Sequence, residues 1–291
     1  MIPISAHGYI EMALNEDLHD RGDITTLAIG IGEKPLTAFV IAKQDGVLCG
    51  VDIGHAVFNK LDVNVQYMAL KKDGDALVTG DSIAKLISKE KMLTAERAAL
   101  NFIGRLSGIA TLTNKFVQQT AGTNAQILDT RKTLPGWREL EKYAVRCGGG
   151  RNHRIGLYDM FLLKENHIAA AGSITAAVQR CRVYMREKDF TALIEVEARN
   201  LDEVEEAINC NVDRIMLDNM DINLMRQAVE IVSGKIPLEA SGNISLQNVR
   251  AVAETGVDFI SIGAITHSAP VFDYSLLVAD EAVMLGEIIA K

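Results

Sequence analysis

The sequence predicts an α/β protein whose C-terminal part is a (β/α) barrel and whose N-terminal part is a separate α+β domain. After about residue 120, short apolar segments alternate with amphipathic segments of helical length, which is the pattern of parallel strands joined by crossover helices. Before about residue 104, short β-like segments and Gly/Asp turns occur with little such alternation. The number of strand–helix units favours a barrel over an open doubly wound sheet.

Six apolar segments are the predicted strands of the barrel. They are AQILD (125–129), MFLLK (160–164), TALIEVE (191–197), DRIMLD (213–218), IPLEA (236–240) and DFISIG (258–263). Amphipathic segments such as NLDEVEEAINC and DINLMRQAVEIV lie between most of them. Because the carboxyl ends of parallel barrel strands carry the reacting groups, these strand ends are where a site is expected.

A long helix over about 93–119 is predicted between the two domains. The apolar residues that share one face of this helix are Ala99, Phe102, Ile103, Leu106 and Ala110. Arg97 and Asn101 point the opposite way. We place the N-terminal domain at 1–104 and the barrel at 105–270, and we expect residues 270–291 to pack back on the N-terminal domain.

Charge and cysteine content exclude several classes of function. The 291 residues carry 30 Lys and Arg against 38 Asp and Glu, a formal charge of −8, so no overall positive field attracts nucleic acid or an anionic membrane. No apolar run approaches the roughly 20 residues that span a bilayer, and the first ten residues lack the features of a signal peptide. The four cysteines show no CxxC spacing. A cytoplasmic protein without nucleic-acid or membrane partners is expected.

A cationic segment stands out against this acidic background. Residues 131–164 contain eight Lys or Arg and three Asp or Glu, a local charge of +5. The residues at strand ends or beside the triple glycine of CGGGRNHR are Arg131, Lys132, His153, Arg154 and Lys164. Guanidinium groups match carboxylates and phosphates in geometry, so this group is predicted to bind a small polyanion. The other cations of the helix WRELEKYAVRC, namely Arg138, Lys142 and Arg146, are interpreted as its solvated face.

Two acidic residues are expected to face each other at neighbouring strand ends. Strand alternation places Glu195 and Glu197 on one face of TALIEVE, and Asp218 ends the following strand. The pair Glu197 and Asp218 could bind ribose hydroxyls, hold Mg²⁺ through water, or stabilise positive charge on a sugar carbon. An ion pair between Glu197 and Lys164 is the structural alternative, and the two interpretations are compatible.

The last two predicted strands lead into turns suited to phosphate. EASGNIS passes through Ser241, Gly242 and Asn243, and SIGAITHS passes through Gly263. Backbone N–H groups at such turns can face an anion, and barrels of this type often bind phosphate after their last two strands. No phosphate loop of NTPases and no GxGxxG segment is present. Five other histidines are interpreted as surface or structural: His7, His19, His55, His167 and His267.

The motifs together resemble the quinolinate phosphoribosyltransferase family. The segments that carry this resemblance run from about residue 15 to 270: NEDLHDRGDIT, AERAALNFIGRLSGIAT, DTRKTLPG, KYAVRCGGGRNHRIGLYDMFLLKENHI, EVEARNLDEV, IMLDNM, LEASGNI and VDFISIGAITHS. The resemblance implies an N-terminal α+β sandwich domain, an incomplete C-terminal TIM-like (β/α) barrel, and a homodimer with active sites at its interface. A larger oligomer is left open. The implied reaction converts quinolinate and phosphoribosyl pyrophosphate (PRPP) to nicotinate mononucleotide, pyrophosphate and CO₂ with Mg²⁺, in de novo NAD biosynthesis.

The resemblance also assigns roles to residues. The quinolinate carboxylates would be bound by Arg131, His153, Arg154 and Lys164, with Lys132 nearby serving quinolinate or PRPP. Arg97 would come from the partner subunit. The catalytic residues would be Lys132, Glu197 and Asp218, the last two holding the ribose hydroxyls and the metal-bound pyrophosphate region. The 5′-phosphate would be bound by Ser241, Gly242, Asn243 and Gly263. Many family members carry glycine where this chain has Asn243, and we expect the turn to keep its conformation because Asn tolerates left-handed backbone.

Two other functions are compatible with parts of this pattern. One is a related barrel phosphoribosyltransferase that acts on another anionic base, such as the homologue encoded with molybdate transport genes. The intact NHR and KENH segments argue against it. The other is a non-catalytic sensor of sugar phosphates, but binding a phosphate needs neither Glu197 nor Asp218.

Overall fold

The computed structural model describes residues 4–279, which form two compact units. One unit comprises the described residues of 1–112, 139–149 and 269–291, and the other comprises residues 113–138 and 150–268. The units are therefore discontinuous along the chain, unlike the continuous domains placed at 1–104 and 105–270. The first unit includes residues 139–149, which the sequence assigned to the barrel, and the last described strand, which lies in the segment expected to pack on the N-terminal domain.

The elements are numbered in chain order. The helices are α1 (Ile4–Leu18), α2 (Ile24–Ile29), α3 (Val51–Leu61), α4 (Lys91–Gln119), α5 (Arg138–Cys147), α6 (Glu165–Ala171), α7 (Ile174–Lys188), α8 (Leu201–Asn209), α9 (Ile222–Val232), α10 (Val249–Ala253) and α11 (Ala264–His267). The strands are β1 (Leu36–Ala42), β2 (Gly46–Val47), β3 (Gln66–Ala69), β4 (Ala76–Leu77), β5 (Ser82–Ser88), β6 (Gln126–Leu128), β7 (Met160–Leu163), β8 (Leu193–Ala198), β9 (Arg214–Asp218), β10 (Leu238–Ser241), β11 (Phe259–Ser261) and β12 (Tyr274–Val278).

The first unit is built on an antiparallel sheet in the order β12–β1–β5–β3. Strand β1 lies between β12 and β5, and its Val40 and Ala42 are fully buried. Strand β12 comes from the end of the described chain and places Tyr274 opposite Ala42. This strand is part of the segment 270–291 that was expected to pack on the N-terminal domain, and residues 280–291 lie outside the described residues.

Helix α4 begins at Lys91 and ends at Gln119, close to the predicted 93–119. The residues predicted to form its apolar face are all buried: Ala99, Phe102, Ile103, Leu106 and Ala110. Arg97 and Asn101 are exposed. Burial of this stripe is the main stabilising contribution expected for an amphipathic helix of such length.

The second unit contains a six-stranded parallel sheet in the order β6–β11–β10–β9–β8–β7. All six predicted strands are present. The first strand along the chain, β6, pairs with the last, β11, as in a closed barrel. Between β6 and β7 the described residues form only an isolated bridge that joins Leu128 to Arg151. The ring of strands is thus incomplete at one junction, and the predicted α/β class with an incomplete C-terminal barrel is confirmed.

Helix α5 differs from the sequence prediction in one respect. Lys142 was interpreted as part of a solvated face, but its exposed fraction is only 1 %. The helix is buried on several sides, since Leu140 and Val145 are fully buried as well. The neighbouring Glu141 is also fully buried and accepts a hydrogen bond from Arg105 Nη2 at 2.6 Å. Simple alternation of charged and apolar residues did not reveal that charged side chains lie inside this unit.

Candidate active site

A cavity of about 800 Å³ lies at the carboxyl ends of the barrel strands in the second unit. The parallel register places Asp218 of β9 beside Ser241 of β10, and Ser241 beside Ser261 of β11. The side chains that end these strands therefore meet at one level. The cavity lining includes these residues predicted from sequence: Arg131, Lys132, His153, Arg154, Lys164, Glu197, Asp218, Ser241, Gly242, Asn243 and Gly263.

Arg97 is the one predicted site residue outside this lining. It belongs to the first unit, where it is exposed on α4. Its predicted contribution from a partner subunit stays a prediction.

Two guanidinium groups, those of Arg131 and Arg154, line the cavity. Arg154 Nη1 donates to the carbonyl oxygen of Met160 at 3.1 Å, which fixes the Arg154 side chain. Nε of Arg131 is buried and has no hydrogen-bond partner within the described residues. Burial and the charge of Arg131 lower the pKa of Arg154. Positive groups that repel each other at a cavity wall are stabilised when an anion binds between them.

His153 also lines the cavity, and its ring contacts two buried carboxylates. Its Nε2 lies 3.0 Å from Oε2 of Glu195 and 3.4 Å from Oε2 of Glu239. Burial by itself would lower the pKa of His153, but the hydrogen bonds and charges of both carboxylates outweigh burial and raise this pKa to about 9. Burial and the charge of Glu239 in turn raise the pKa of Glu195 to about 6. The carboxylates thus favour a charged imidazolium.

The other ring nitrogen of His153 is oriented by the backbone. The Arg154 amide donates to Nδ1 at 2.7 Å, and the His153 amide donates to Oδ1 of Asp129 at 2.9 Å. The first of these bonds favours a ring whose hydrogen is on Nε2. Protonation of Nδ1 requires the Arg154 amide to move away from it, because two donors cannot face each other.

Glu197 faces both the cavity and a lysine. Nζ of Lys164 lies 2.8 Å from Oε2 of Glu197. The ion pair that was the structural alternative is therefore formed, and both residues also line the cavity. Since half of the Lys164 side chain is exposed, the pair contributes little to the free energy of folding. Asp218, on the strand next to Glu197, adds a second partly buried carboxylate.

The turn after β10 depends on its glycine and on an asparagine that was not predicted. Gly242 has φ +100°, and a Cβ at this position would clash with the side chain of Asn219. Asn243 follows with φ +52°, as expected for a left-handed residue, and its Nδ2 donates to Oδ1 of Asn219 at 3.1 Å. Asn219 also donates its amide hydrogen to the carbonyl oxygen of Ser241 at 2.9 Å.

The turn after β11 also contains a glycine close to neighbouring side chains. A Cβ on Gly263 would lie 2.9 Å from Cδ of Lys132 and 3.2 Å from Nε2 of His267. The hydroxyl of Thr266 donates to the carbonyl oxygen of Lys132 at 2.8 Å, which ties this turn to the loop after β6. A side chain at position 263 would therefore require Lys132 to shift, and glycine avoids this contact.

Comparison with known proteins identifies the family. The model of the quinolinate phosphoribosyl transferase C-terminal domain matches residues 109–277, and the N-terminal domain model matches residues 23–107. The chain belongs to the quinolinate phosphoribosyltransferase family. It is accordingly an enzyme, a phosphoribosyltransferase of NAD biosynthesis, and the sequence-based family, activity and fold class are confirmed.

Relatives of this family from distant organisms are similar over nearly the whole chain. A probable nicotinate-nucleotide pyrophosphorylase [carboxylating] from Synechocystis sp. is 43 % identical, with 92 % of this chain and 90 % of the relative covered. The chloroplastic nicotinate-nucleotide pyrophosphorylase [carboxylating] of Arabidopsis thaliana is 40 % identical, with 94 % and 83 % covered. The solved nicotinate-nucleotide pyrophosphorylase of Francisella tularensis is 43 % identical with a TM-score of 0.90, covering 96 % of this chain and 98 % of that one.

The cavity-lining residues of this phosphoribosyltransferase that sequence reasoning missed include Asn219, Glu239 and His267. Glu239 is fully buried and lies in the otherwise apolar segment IPLEA. An acidic residue within a predicted buried strand could have indicated a functional role. His267 was interpreted as surface or structural because it has no partner nearby in sequence. The short helix α11 carries it back to Gly263, so only the three-dimensional turn reveals its position.

No helix among the described residues is long and apolar enough to cross a membrane. The expected cytoplasmic location stays a prediction.

Proposed function

We propose that the cavity of the second unit is where this chain transfers phosphoribosyl from PRPP to quinolinate, giving nicotinate mononucleotide, pyrophosphate and CO₂. The observation that carries this proposal is the convergence on one cavity of five cationic side chains, the carboxylates of Glu197 and Asp218, and two glycine turns. A dicarboxylate base and a sugar phosphate with a charged leaving group need these three kinds of partner together.

The cationic end is proposed to bind quinolinate. Arg131 and Arg154 supply the guanidinium groups that match carboxylates, and Nε of Arg131 is a buried donor that such a ligand would satisfy. His153, charged through Glu195 and Glu239, adds a third positive group, and Lys164 a fourth at the cavity edge. Each neutralises part of a dianion that would otherwise be costly to desolvate.

The opposite end is proposed to bind PRPP. Glu197 and Asp218 accept hydrogen bonds from the ribose hydroxyls, while Lys132 contacts PRPP or the base. The 5′-phosphate occupies the turns after β10 and β11, which are formed by Ser241, Gly242, Asn243 and Gly263. Close approach of the phosphate to the backbone is feasible because the two glycines present no side chain.

The chemistry follows from this placement. As the C1–O bond to pyrophosphate breaks, positive charge develops on the ribose ring, and the carboxylates of Glu197 and Asp218 stabilise it. The quinolinate nitrogen then forms the new bond to C1. The resulting pyridinium accepts the electron pair released when the adjacent carboxylate leaves as CO₂, and a proton replaces that carboxylate. The chain supplies orientation and electrostatic stabilisation, with no covalent intermediate.

We further propose that Mg²⁺ takes part with PRPP. The oxygen donors of Glu197 and Asp218 on the cavity wall fit a hard cation that keeps several waters and binds substrate phosphates. When bound, Mg²⁺ offsets the negative charge of the departing pyrophosphate. A Mg²⁺ titration with PRPP present should show saturable dependence of turnover, and full activity in chelator would refute this role.

A homodimer is proposed to complete the site with Arg97. The residue is exposed on α4, opposite the buried stripe of that helix, so its side chain is available to a second subunit. Mixing inactive Arg97→Ala chains with inactive Lys164→Ala chains should restore part of the activity, because each hybrid dimer contains one intact site. No recovery despite proven subunit exchange would contradict a shared site.

The decisive experiment is an assay with quinolinate labelled in its 2-carboxylate. With PRPP and Mg²⁺, the purified protein should release labelled CO₂ and form nicotinate mononucleotide in equal amounts. Turnover with nicotinate but not quinolinate would favour a phosphoribosyltransferase for another anionic base. Binding of PRPP without turnover of either base would favour a sensor of sugar phosphates.

A further inference from the structure

Two cysteines of the first unit lie together outside the candidate active site. Cys49 precedes α3 and is fully buried, whereas Cys147 is the last residue of α5 and is partly exposed. Their sulfur atoms and a carboxylate oxygen of Asp73 lie within 4.8 Å of one another. The pair is far apart in sequence, so this proximity is visible only in the folded chain.

The two thiols have opposite properties. A hydrogen bond from the Cys49 thiol lowers the pKa of Cys147, although burial and the Asp73 charge oppose this effect. The guanidinium of Arg146, one residue earlier, also favours the Cys147 thiolate. Burial raises the pKa of Cys49 well above its ordinary value. A partly exposed thiol of lowered pKa beside a buried thiol is the arrangement of an attacking and a resolving cysteine.

We propose that Cys49 and Cys147 form a reversible disulfide by exchange with a small-molecule disulfide. The Cys147 thiolate attacks one sulfur of the reagent, forms a mixed disulfide and releases one thiolate. The Cys49 sulfur then attacks the Cys147 sulfur and releases the second thiol, which takes the Cys49 proton. One external disulfide is reduced to two thiols, and the two protein thiols are oxidised to one disulfide.

The backbone around the pair indicates which side moves. Cys49 is held by Ser107, whose hydroxyl accepts from the Cys49 amide at 2.9 Å and donates to the Cys49 carbonyl oxygen at 3.0 Å. Cys147 ends its helix and is followed by Gly148, Gly149 and Gly150. Because glycines permit many backbone conformations, the Cys147 end is the part that adjusts when the sulfurs close to bonding distance.

A metal ion is a less suitable occupant of this cluster. Oδ1 of Asp73 accepts hydrogen bonds from the amides of Gly50 and Val51, at 2.9 and 3.0 Å. Oδ2 of Asp73 accepts from the Tyr143 hydroxyl at 2.6 Å. Since both carboxylate oxygens are already engaged, Asp73 serves to position the loop and the helix, which leaves two sulfur atoms as the reactive groups.

The test uses the full chain, reduced and then incubated with glutathione disulfide. Its four free thiols should fall to two, and non-reducing peptide mapping should identify one Cys49–Cys147 link that a thiol reductant reverses. Cys49→Ala should stop at a stable glutathione adduct on Cys147. Cys147→Ser should slow the loss of thiols by about tenfold or more, since a buried neutral thiol reacts poorly.

Cys181→Ser is the matched control, because Cys181 is a buried thiol of the second unit whose pKa is raised by burial. It should form the same link as the wild type. Circular dichroism should confirm that each variant is folded, and Cys49→Ser provides a second variant at the buried position. Four thiols retained in the wild type, a persistent adduct on wild-type Cys147, or a link through Cys181 or Cys210 would overturn the proposal. Stoichiometric Zn²⁺ that is lost in Cys49→Ala would also overturn it in favour of a metal site.

Discussion

The two proposed ends of the cavity differ in their proposed partners for an anion, which are mainly charged side chains at the cationic end and mainly backbone groups at the end formed by the two glycine turns. Arg131, Arg154 and His153 depend on charge and on their own supports, such as the carbonyl oxygen of Met160 and the carboxylates beneath His153. Gly242 and Gly263 leave the backbone of the two turns accessible because they have no side chain. The first end should therefore respond to charge and pH, and the second to steric change.

The largest effect is expected at Gly242. Alanine there must adopt φ near +100° and displace Asn219, and backbone strain of about 1–3 kcal/mol plus the clash should lower kcat/KM for PRPP about a hundredfold. Steady-state kinetics with PRPP varied will measure this. Gly172→Ala is the matched control, since Gly172 has φ +102° with open space around it. Equal losses in both variants would mean that general strain, and not the turn, is responsible.

Removal of a guanidinium should affect the other substrate. Arg131→Ala and Arg154→Ala should each weaken quinolinate binding by about 1.5–3 kcal/mol, the range for a lost charge-assisted hydrogen bond, and leave PRPP binding nearly unchanged. Calorimetric titration with each substrate separates the two. Arg180→Ala, an exposed arginine outside the cavity, should match the wild type. A loss of PRPP affinity as large as that of quinolinate affinity would show that the two substrates do not bind at separate ends of the cavity.

A smaller effect is expected from pH at the cationic end. Because the pKa of His153 is raised from 6.5 to about 9, its charged form is favoured in the folded chain. The stability from this charge is complete below about pH 6.5 and is lost as pH rises through about 9. Quinolinate affinity should fall about tenfold over the same rise, since a positive charge on the cavity wall is lost. Binding titrations from pH 7 to 10 measure the quinolinate affinity. If the affinity of the His153→Gln variant changed with pH in the same way as that of the wild type, His153 would not be the titrating group.

The smallest effect should come from Asn243→Gly at the backbone end. Asn243 already has φ +52°, so glycine can keep the turn and loses only the hydrogen bond to Asn219. We expect the KM for PRPP to change by no more than about threefold, because a net hydrogen bond of this kind contributes about 0.5–1 kcal/mol. A loss comparable to that of Gly242→Ala would show that side chains also matter at this end.

Sequence patterns predict the barrel well because strand ends and their register are determined locally. The six apolar segments were sufficient to place Asp218 and Ser241 side by side and Glu197 on the strand next to Asp218. Glu239 and His267 could not be placed in the same way. Their positions depend on which strand face is covered and on how a short helix turns back toward Gly263.

The burial of the charged residues of α5 could not be predicted from the sequence either. Lys142 and Glu141 alternate with apolar residues as on a solvated helix, and only the packing of α5 within the first unit distinguishes the two cases. The proximity of Cys49 and Cys147 is likewise a tertiary property. Local periodicity determines which residues share a face, but it does not reveal what that face packs against.

The unpaired junction between β6 and β7 has an evolutionary consequence. The chain between these strands, residues 129–159, carries Arg131, Lys132, His153 and Arg154, and no strand ladder links β6 to β7. Insertions or substitutions there leave the register of the paired strands unchanged. The turns after β10 and β11, by contrast, follow strands that are paired on both sides. Under the proposed assignment of the two ends, evolution toward a new acceptor base requires changes at the open junction alone, and the turns proposed to bind the 5′-phosphate stay as they are.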